Sequence, residues 1–348
     1  LPDLAAAPWV ALDTEADSMH AYPEKLCLVQ ISIPGADVLV DPLAGFDLKP
    51  LWNALAGREL IFHAADYDLR LLKRVGFVPD RIFDTMLAAR LLGLPRFGLA
   101  DVVQGILGIT LEKGPQKADW AKRPLTPRME EYARNDTKHL KVVSDHLRNE
   151  LMSKGRLAWH EEWCARWVTD CSVDSVVDPD EVWRIKGSSK LDRKGLAALR
   201  ELWKWREEEA IASNRPPFFI VNHEVMVAMA QAVASEADVE ALIPRYLTTR
   251  RRNGLDMAIK AAAQVPQSEW PEVLRHFSRR PSPREMDQAD SLLKRRDKIA
   301  AELGLDPTLI FSKSVAYELA KEEVATRSRL MRWQEDLVYG ATPVVSSQ

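Results

Sequence analysis

Short apolar runs alternate with helical repeats over the first 150 residues of the chain. Four runs rich in β-branched residues predict strands: WVALDTE, KLCLVQISI, DVLVDP and RELIFHA. The first three are separated by short, turn-rich links, which favours an antiparallel meander. We therefore expect an α/β domain in which strands come first and helices take over.

Helical spacing of apolar residues marks the segments between and after these strands, among them DLRLLKRVG, DTMLAARLLG, LADVVQGILG and the long PRMEEYARNDTKHLKVVSDHLRNEL. Beyond about residue 150 only helical patterns continue, interrupted by Pro216-Pro217 and by a proline-rich stretch that begins at Pro266. The fold class expected is α/β followed by all-α. The predicted domains are one α/β domain and two helical domains, with the bounds 1–150, 151–265 and 266–348.

Length and charge limit the class of protein without identifying it. The chain has 348 residues, enough for two or three domains with their own cores. Its formal net charge of −3 at pH 7 does not suggest a nucleic-acid binder, but nine basic and only three acidic residues lie within 245–284. This local excess fits a binding patch or an ordinary solvated helical face.

Neither a membrane span nor a disulfide scaffold is expected. The sequence has no run of about 18 apolar residues, and its first residues lack the basic region of a secretory signal. The cysteines, Cys27, Cys164 and Cys171, have no CxxC spacing, which argues against a zinc cluster. We expect a cytoplasmic protein with no membrane partner.

Acidic residues in separate segments are candidates for one metal site. Asp13 and Glu15 are two apart on the first predicted strand, so both side chains point to the same face. Asp68 follows the fourth strand in the first turn of a helix, for which Asp66 is the expected N-cap. Asp84 opens another predicted helix and is expected to cap it. Taken alone, Asp13 and Glu15 fit a solvent-facing strand end, and Asp66 and Asp68 fit a favourable interaction with the helix dipole.

Tyr132 and Asp136 lie four residues apart on a later predicted helix and share one face. Asp136 can bind a metal ion while the Tyr132 hydroxyl orients or helps to deprotonate an attacking water; packing is the alternative for the tyrosine. Clustered carboxylates need a neutralising charge, and Mg²⁺ or Mn²⁺ fits an all-oxygen site. Two such ions about 3.5–4 Å apart would clamp a scissile phosphodiester.

These segments, in this order, resemble the ribonuclease D family, in the branch of the DEDD exonucleases that carries tyrosine in its third motif. Asp13-Thr14-Glu15 is similar to the first motif of the family, the segment from His63 to Asp68 to the second, and that from Tyr132 to Asp136 to the third. The resemblance therefore covers all the candidate metal ligands.

Other segments extend the resemblance over nearly the whole chain. FDTMLAARLLG (83–93) and ADWAKRPLT (118–126) are similar to stretches of ribonuclease D and of the nuclear exosome-associated exonuclease. Residues 186–230 resemble an HRDC domain, the helical module shared with RecQ-type helicases, and those after about 280 resemble a weaker second copy. The resemblance implies an RNase H-like exonuclease domain with a mixed five-stranded sheet, then two helical HRDC-like domains.

The resemblance also implies a function: removal of nucleotides one at a time from RNA 3′ ends by two-metal-ion hydrolysis, including tRNA 3′-end maturation. It assigns catalysis to Asp13, Glu15, Asp68, Tyr132 and Asp136, with the four carboxylates holding two divalent ions, Mg²⁺ or Mn²⁺. The implied partners are tRNA precursors and other structured RNA 3′ ends, and a monomer is expected. A DNA 3′→5′ exonuclease would share this site and stays open. A non-catalytic RNA-binding module is disfavoured because all five positions are filled.

Candidates for substrate binding surround these residues: Thr14, Gln30, His63, Lys117 and Trp120. Thr14, through its backbone, and Gln30 fit contact with the terminal nucleotide or a structural role in their strands. His63 fits a nucleotide contact, although a hydrogen-bonded histidine at a strand end explains it better. Trp120 fits stacking on a base or packing of its loop, and Lys117 fits contact with a phosphate.

Overall fold

A mixed sheet of five strands organises the first domain of the computed structural model, which describes residues 1–112, 114–173, 178–274 and 281–340. The strand order is β3-β2-β1-β4-β5. The strands are β1 Val10–Ala16, β2 Leu26–Ile33, β3 Ala36–Val40, β4 Glu59–Phe62 and β5 Arg81–Asp84. The first three pair antiparallel and the last two run parallel to β1, so the predicted meander and the mixed sheet are confirmed.

Helices cover both faces of this sheet and are the regular elements of the described residues that follow it. In the first domain they are α1 Pro2–Ala6, α2 Lys49–Leu55, α3 Asp66–Arg74, α4 Thr85–Leu91, α5 Leu99–Leu107, α6 Pro127–Lys138 and α7 Leu140–Ser153. The middle of the chain forms α8 Leu157–Ser172, α9 Arg193–Ser213, α10 Pro217–Ile220, α11 His223–Ala234 and α12 Thr249–Gln264. The last helices are α13 Pro283–Leu303, α14 Pro307–Ile310, α15 Lys313–Lys321, α16 Glu323–Arg327 and α17 Arg332–Tyr339.

The hydrophobic pattern misses two local features of this domain. Strand β5 is not among the four runs that predict strands, and the family resemblance implied the five-stranded sheet. The long helix predicted from Pro127 is two helices, which meet at His139. Helix α6 packs on β1, β2 and β3, whereas α7 packs on α4 and α5. The break depends on these different tertiary contacts, which the hydrophobic pattern does not reveal.

Alternation along β1 separates the buried core from the face that carries acidic side chains. Val10 and Leu12 join the main apolar core, whereas Ala11 packs with Ile61 and Leu140 on the opposite side. Residues two apart on a strand share a face, so the odd-numbered positions that follow Ala11 lie on the side covered by α6 and α7. That side is where the candidate metal ligands of β1 lie.

The helical regions are anchored in two different ways. Helices α9, α11 and α12 build a separate apolar core around residues such as Leu199, Met229 and Leu255. By contrast, Leu309 and Trp333 of the C-terminal helices belong to the same apolar core as the sheet. There the ring of Trp333 stacks on Trp159 of α8, with centroids 4.8 Å apart and planes 14° apart.

None of the helices in the described ranges combines the length and the apolar character that a membrane span requires. The thiols of Cys27, Cys164 and Cys171 are unpaired. Burial raises the pKa of the Cys27 thiol to about 12, so it stays protonated at neutral pH.

The stacked tryptophans predict how firmly the C-terminal helices are attached. Trp333→Ala should lower the free energy of unfolding by about 3–5 kcal/mol, because Trp333 is buried and its loss leaves a cavity against Trp159. Val324→Ala, at an exposed position of α16, is the matched control and should change it by less than about 0.5 kcal/mol. Urea unfolding followed by circular dichroism measures both; equal midpoints for the two variants would contradict this account.

Candidate metal centre

Three carboxylates from two secondary-structure elements converge beside β1. One oxygen from each of Asp13, Glu15 and Asp136 lies within 4.8 Å of the other two. Asp13 and Glu15 are on β1, and Asp136 comes from α6, which packs across β1 and β2. All three residues are partly exposed, so the cluster is open to solvent on one side. The strand and helix spacings read from the sequence thus bring these groups together in the fold.

Asp68 is the fourth carboxylate, and a hydrogen bond from the Thr14 hydroxyl connects it to β1. Asp68 is buried in the first turn of α3, and its charge raises the pKa of Asp13, so the two groups act on each other. The expectation that Asp66 caps this helix is wrong. Ala65 occupies the N-cap position, and Asp66 instead pairs with Arg70 at 2.7 Å.

Asp84 fixes the start of the helix that carries Asp68. Its buried carboxylate accepts hydrogen bonds from the backbone N–H of Leu87, at 2.7 Å, and of Ala65, at 2.6 Å. The first bond caps α4, as predicted, and the second joins β5 to the turn before α3. Ala64 in that turn has φ of 67°, a left-handed conformation that is uncommon for a residue with a Cβ. Asp84 therefore stabilises a strained turn beside the site, a role that its sequence position did not reveal.

Tyr132 is held in place by a segment that passes directly over its ring. A Cβ on Gly114 would lie 1.6 Å from Cδ2 of Tyr132, so only glycine fits there. Hydrogen bonds link the Tyr132 hydroxyl to the side chains of Gln116 and Asp136. Sequence reasoning missed Gly114, because its importance depends on a contact with a distant helix.

Burial and mutual repulsion raise the pKa of every carboxyl group in the cluster. Desolvation is the main cause, and the negative charges of the neighbouring carboxylates add to it. The pKa of Glu15 rises to about 9 and those of Asp68 and Asp136 to about 7, while that of Asp13 rises well above 3.8. These groups therefore cannot all be ionised near neutral pH without a compensating positive charge. A hard divalent cation suits this all-oxygen donor set.

Trp120 and Gln30 are candidate substrate contacts whose side chains are buried. Trp120 is 1% exposed and packs in a small apolar cluster, so stacking on a base is wrong and packing of its loop is its role. Gln30 lies opposite Asp13 in the register of β1 and β2 and is fully buried, which excludes direct contact with a nucleotide in this structure. Neither polar atom of the Gln30 amide has a hydrogen-bond partner among the described residues. Gln30 is therefore a strand residue, with its amide beneath the acidic face.

His63 is a neutral, hydrogen-bonded histidine. Burial lowers its pKa to about 4. Its Nδ1 lies 2.9 Å from the Thr85 hydroxyl oxygen, and that hydroxyl donates its own hydrogen to the Phe62 carbonyl. Nδ1 must therefore carry the hydrogen, which leaves Nε2 as an acceptor. A contact between His63 and a nucleotide stays a prediction.

Lys117 and the backbone of Thr14 also remain predictions as substrate contacts. The Lys117 side chain is exposed, and its carbonyl oxygen lies 2.9 Å from Nε2 of His20. Thr14 is buried, and its hydroxyl is already committed to Asp68. Thr14 thus has a positioning role in addition to any contact made by its backbone.

Comparison with known proteins supplies the family. Residues 1–152 match the family described as a 3′-5′ exonuclease, and residues 195–242 match the HRDC domain. Two solved structures share the fold. A protein from Bifidobacterium adolescentis has a TM-score of 0.80 and 25% identity, covering 97% of this chain and 91% of that one. RNase D of Escherichia coli, described as an exoribonuclease involved in structured RNA processing, has a TM-score of 0.74 and 24% identity, covering 97% and 94%.

Curated relatives of similar length carry one name. A ribonuclease D of Pseudomonas paraeruginosa is 34% identical over 323 residues, which span 90% of this chain and 84% of the relative. A ribonuclease D of Granulibacter bethesdensis is 30% identical over 347 residues, 96% of this chain and 86% of the relative. Similarity that runs through both the acidic domain and the helices after it means that the chain belongs to the ribonuclease D family.

Proposed function

We propose that this chain is a 3′→5′ exoribonuclease that removes nucleotides one at a time from RNA 3′ ends by metal-dependent hydrolysis. The observation that carries the proposal is the convergence of carboxylate oxygens from Asp13, Glu15 and Asp136 within 4.8 Å, beside Asp68. Membership of the ribonuclease D family supports RNA as the substrate, as does the E. coli structure described as an exoribonuclease.

In this proposal Asp13, Glu15, Asp68 and Asp136 hold two divalent ions, Mg²⁺ or Mn²⁺. When bound, the ions would supply an activated water and positive charge at the scissile phosphate. The raised pKa values of the carboxyl groups support this assignment, because a cation would replace the protons that otherwise neutralise them.

Tyr132 orients the attacking water. Burial and the neighbouring carboxylates raise the pKa of its hydroxyl far above its ordinary value of 10, so the group stays protonated and acts through hydrogen bonds. Contact with Asp136 and the close approach of Gly114 leave the ring little freedom. Tyr132 therefore has the preorganisation that a positioning hydroxyl needs.

We propose tRNA precursors with short 3′ trailers as substrates, and a cytoplasmic monomer as the working form. A DNA 3′→5′ exonuclease would use the same carboxylates, so the metal centre does not separate the two. The HRDC match behind the exonuclease domain, together with the ribonuclease D relatives, favours RNA.

The C-terminal helices are proposed to be a second HRDC-like unit, in domains bounded at 1–150, 151–265 and 266–348. Support comes from a repeated order of elements. Helix α9 has 21 residues and is followed by the one-turn α10, which begins at Pro217. Helix α13 also has 21 residues and is followed by the one-turn α14, which begins at Pro307. In both units the next helix starts after a side-chain cap, Asn222 or Ser312.

A gel time course on a 5′-labelled tRNA precursor with a short 3′ trailer tests the proposed function. With Mg²⁺ or Mn²⁺ the RNA should shorten in single-nucleotide steps from its 3′ end, and EDTA should stop the reaction. A matched single-stranded DNA run in parallel should be digested more slowly. Degradation of the DNA with the RNA left intact would replace the proposal with a DNA exonuclease.

Asp66 and Asp68, two residues apart in α3, form a matched pair for mutation. Asp68→Asn should lower kcat by more than about 100-fold. Mutation of a residue that merely hydrogen-bonds to a metal ligand typically reduces activity roughly 10–100-fold, and loss of a ligand should have a larger effect. Asp66→Asn should leave kcat unchanged, since Asp66 is exposed and its carboxylate pairs with Arg70 on the surface. Activity retained in Asp68→Asn, with normal circular dichroism for both variants, would remove Asp68 from the site.

The raised pKa of Glu15 predicts how the stability of the metal-free protein depends on pH. The folded state keeps this proton up to about pH 9, whereas the unfolded chain releases it near 4.5, so ionisation of Glu15 destabilises the fold as pH rises between these values. Glu15→Gln, which cannot ionise, should therefore become more stable relative to the wild type as the pH rises from 4.5 to about 9.

Thermal melting in EDTA measures this difference, and Mg²⁺ or Mn²⁺ provides the control. Added metal should raise the melting temperature of the wild type more than that of Glu15→Gln, with the larger effect at the higher pH. A constant difference between the two proteins across the pH range would contradict the electrostatic account.

A further inference from the structure

Gln30 is a buried polar side chain that the fold leaves without a hydrogen bond. It is fully buried on β2, and neither Oε1 nor Nε2 of its amide has a hydrogen-bond partner among the described residues. Buried polar groups are nearly always hydrogen-bonded, so an unpaired amide in a protein core calls for an explanation. A methionine or a leucine would fill a similar volume without burying unsatisfied polar atoms. Packing therefore does not explain the choice of glutamine at this position.

The register of the sheet places this amide beside the first candidate metal ligand. Gln30 lies directly opposite Asp13 in the antiparallel ladder of β1 and β2. Opposed residues on antiparallel strands point to the same face, with Cβ atoms about 4.5–5.5 Å apart. A glutamine side chain spans that distance by rotation about its own bonds, without movement of the backbone. The Asp13 carboxylate is therefore within reach of the Gln30 amide.

Helix α6 covers Gln30 from the side opposite the sheet. The neighbours of Gln30 on the same face of β2 are Leu28 and Ser32, each two residues away. Leu28 belongs to the same apolar cluster as Ala133 of α6, and the Ser32 hydroxyl oxygen lies 2.8 Å from that of Thr137. Gln30 thus lies beneath the part of α6 that carries the third carboxylate of the cluster, so elements that bear ligands enclose its amide.

An amide suits this position for a chemical reason. A carboxylate that holds a metal ion with one oxygen still needs hydrogen-bond donors around it, and donors outside the coordination sphere orient such ligands. A lysine or an arginine beside Asp13 would supply a positive charge and would compete with the metal ion for the carboxylate. The N–H groups of an amide are neutral, so they orient the carboxylate without cancelling its charge.

We propose that Gln30 is a positioning residue of the metal centre: its Nε2–H group donates a hydrogen bond to the ionised carboxylate of Asp13 and so orients this ligand for a divalent ion. The inference deepens the proposed function and rests on it for the presence of the ion. It gives Gln30 a role that requires no contact with the substrate, in agreement with the burial of its side chain.

Manganese binding to the full-length protein tests this role without turnover. Gln30→Met keeps the approximate length and volume of the side chain but removes the donor. It should weaken Mn²⁺ binding roughly 10–100-fold, the usual effect of losing a hydrogen bond to a metal ligand. Electron paramagnetic resonance of the free ion measures the affinity. Gln231→Met, the same change at an exposed position of α11, is the matched control and should bind Mn²⁺ as the wild type does.

Thermal melting in EDTA separates positioning from a structural role. Gln30→Met should melt at the temperature of the wild type or above it, because an apolar side chain replaces a buried amide that has no partner among the described residues. A structural role predicts the opposite combination, a lower melting temperature with unchanged Mn²⁺ affinity, and that result would overturn the proposal.

A crystal structure of the wild-type protein with Mn²⁺ tests the hydrogen bond itself and depends on no variant. Nε2 of Gln30 should lie within about 3.2 Å of a carboxylate oxygen of Asp13. A longer separation, with the ion bound, would show that Gln30 does not orient this ligand.

Failure of the proposed function would give a different result. If the wild type shortens RNA and Gln30→Met binds Mn²⁺ as tightly as the wild type, Gln30 has no positioning role. If Gln30→Met weakens Mn²⁺ binding but the wild type shortens no RNA, the exoribonuclease proposal fails and the role of Gln30 in the metal centre stands. Absence of Mn²⁺ binding by the wild type would contradict both.

Discussion

Repulsion between carboxylates is the constraint on which the site depends. Burial raises the pKa of Asp13, Glu15 and Asp136, and the negative charge of Asp68 raises all three further. Little water is left to screen these charges from one another. A flexible chain would separate such groups. The fold keeps them together because each is mounted on an element fixed by contacts elsewhere.

The central position of β1 supplies most of that rigidity. It pairs with β4 at Val10 and Ala11 and with β2 along its length, so the ladder with β2 holds Asp13 and Glu15 in place. The other two ligands are held against this strand in different ways: Thr14 of β1 donates a hydrogen bond to Asp68, and α6, which carries Asp136, packs on β1 and β2. Asp84 adds a strained turn at Ala64, and local strain of this kind is characteristic of functional sites. The contacts that stabilise the fold thus keep mutually repelling carboxylates together, and a bound cation would neutralise their charge.

Sequence patterns predicted the parts of the site that depend on local geometry. The two-residue spacing of Asp13 and Glu15 on a strand, and the four-residue spacing of Tyr132 and Asp136 on a helix, give shared faces whatever the rest of the fold does. The burial of Trp120 could not be inferred in this way, because it depends on which segments pack over the loop.

Contacts between distant segments stayed invisible for the same reason. Thr14 and Asp68 are 54 positions apart, and the sequence holds no local sign that their side chains meet. Gly114 looks like an ordinary loop glycine until the ring of Tyr132 is placed against it. Family resemblance bridged part of this gap, since it implied a five-stranded sheet when the predicted runs were four. The hydrogen bond from the Ala65 N–H to Asp84 is likewise tertiary and needed the structure, whereas the cap that Asp84 makes on α4 did not.

The two helical units differ in how they are attached to the exonuclease domain. The C-terminal helices share the apolar core of the exonuclease domain, so their position is fixed by the same burial that stabilises the sheet. The HRDC domain has its own core, and Tyr22 supplies its hydrogen bonds to the first domain within the described ranges. Tyr22 also packs against that core, so this residue of the loop after β1 joins the two domains through apolar and polar contacts alike. The C-terminal helices are held by burial in a shared core, whereas the described hydrogen bonds of the HRDC domain to the first domain come from one residue, which makes Tyr22 important for its orientation.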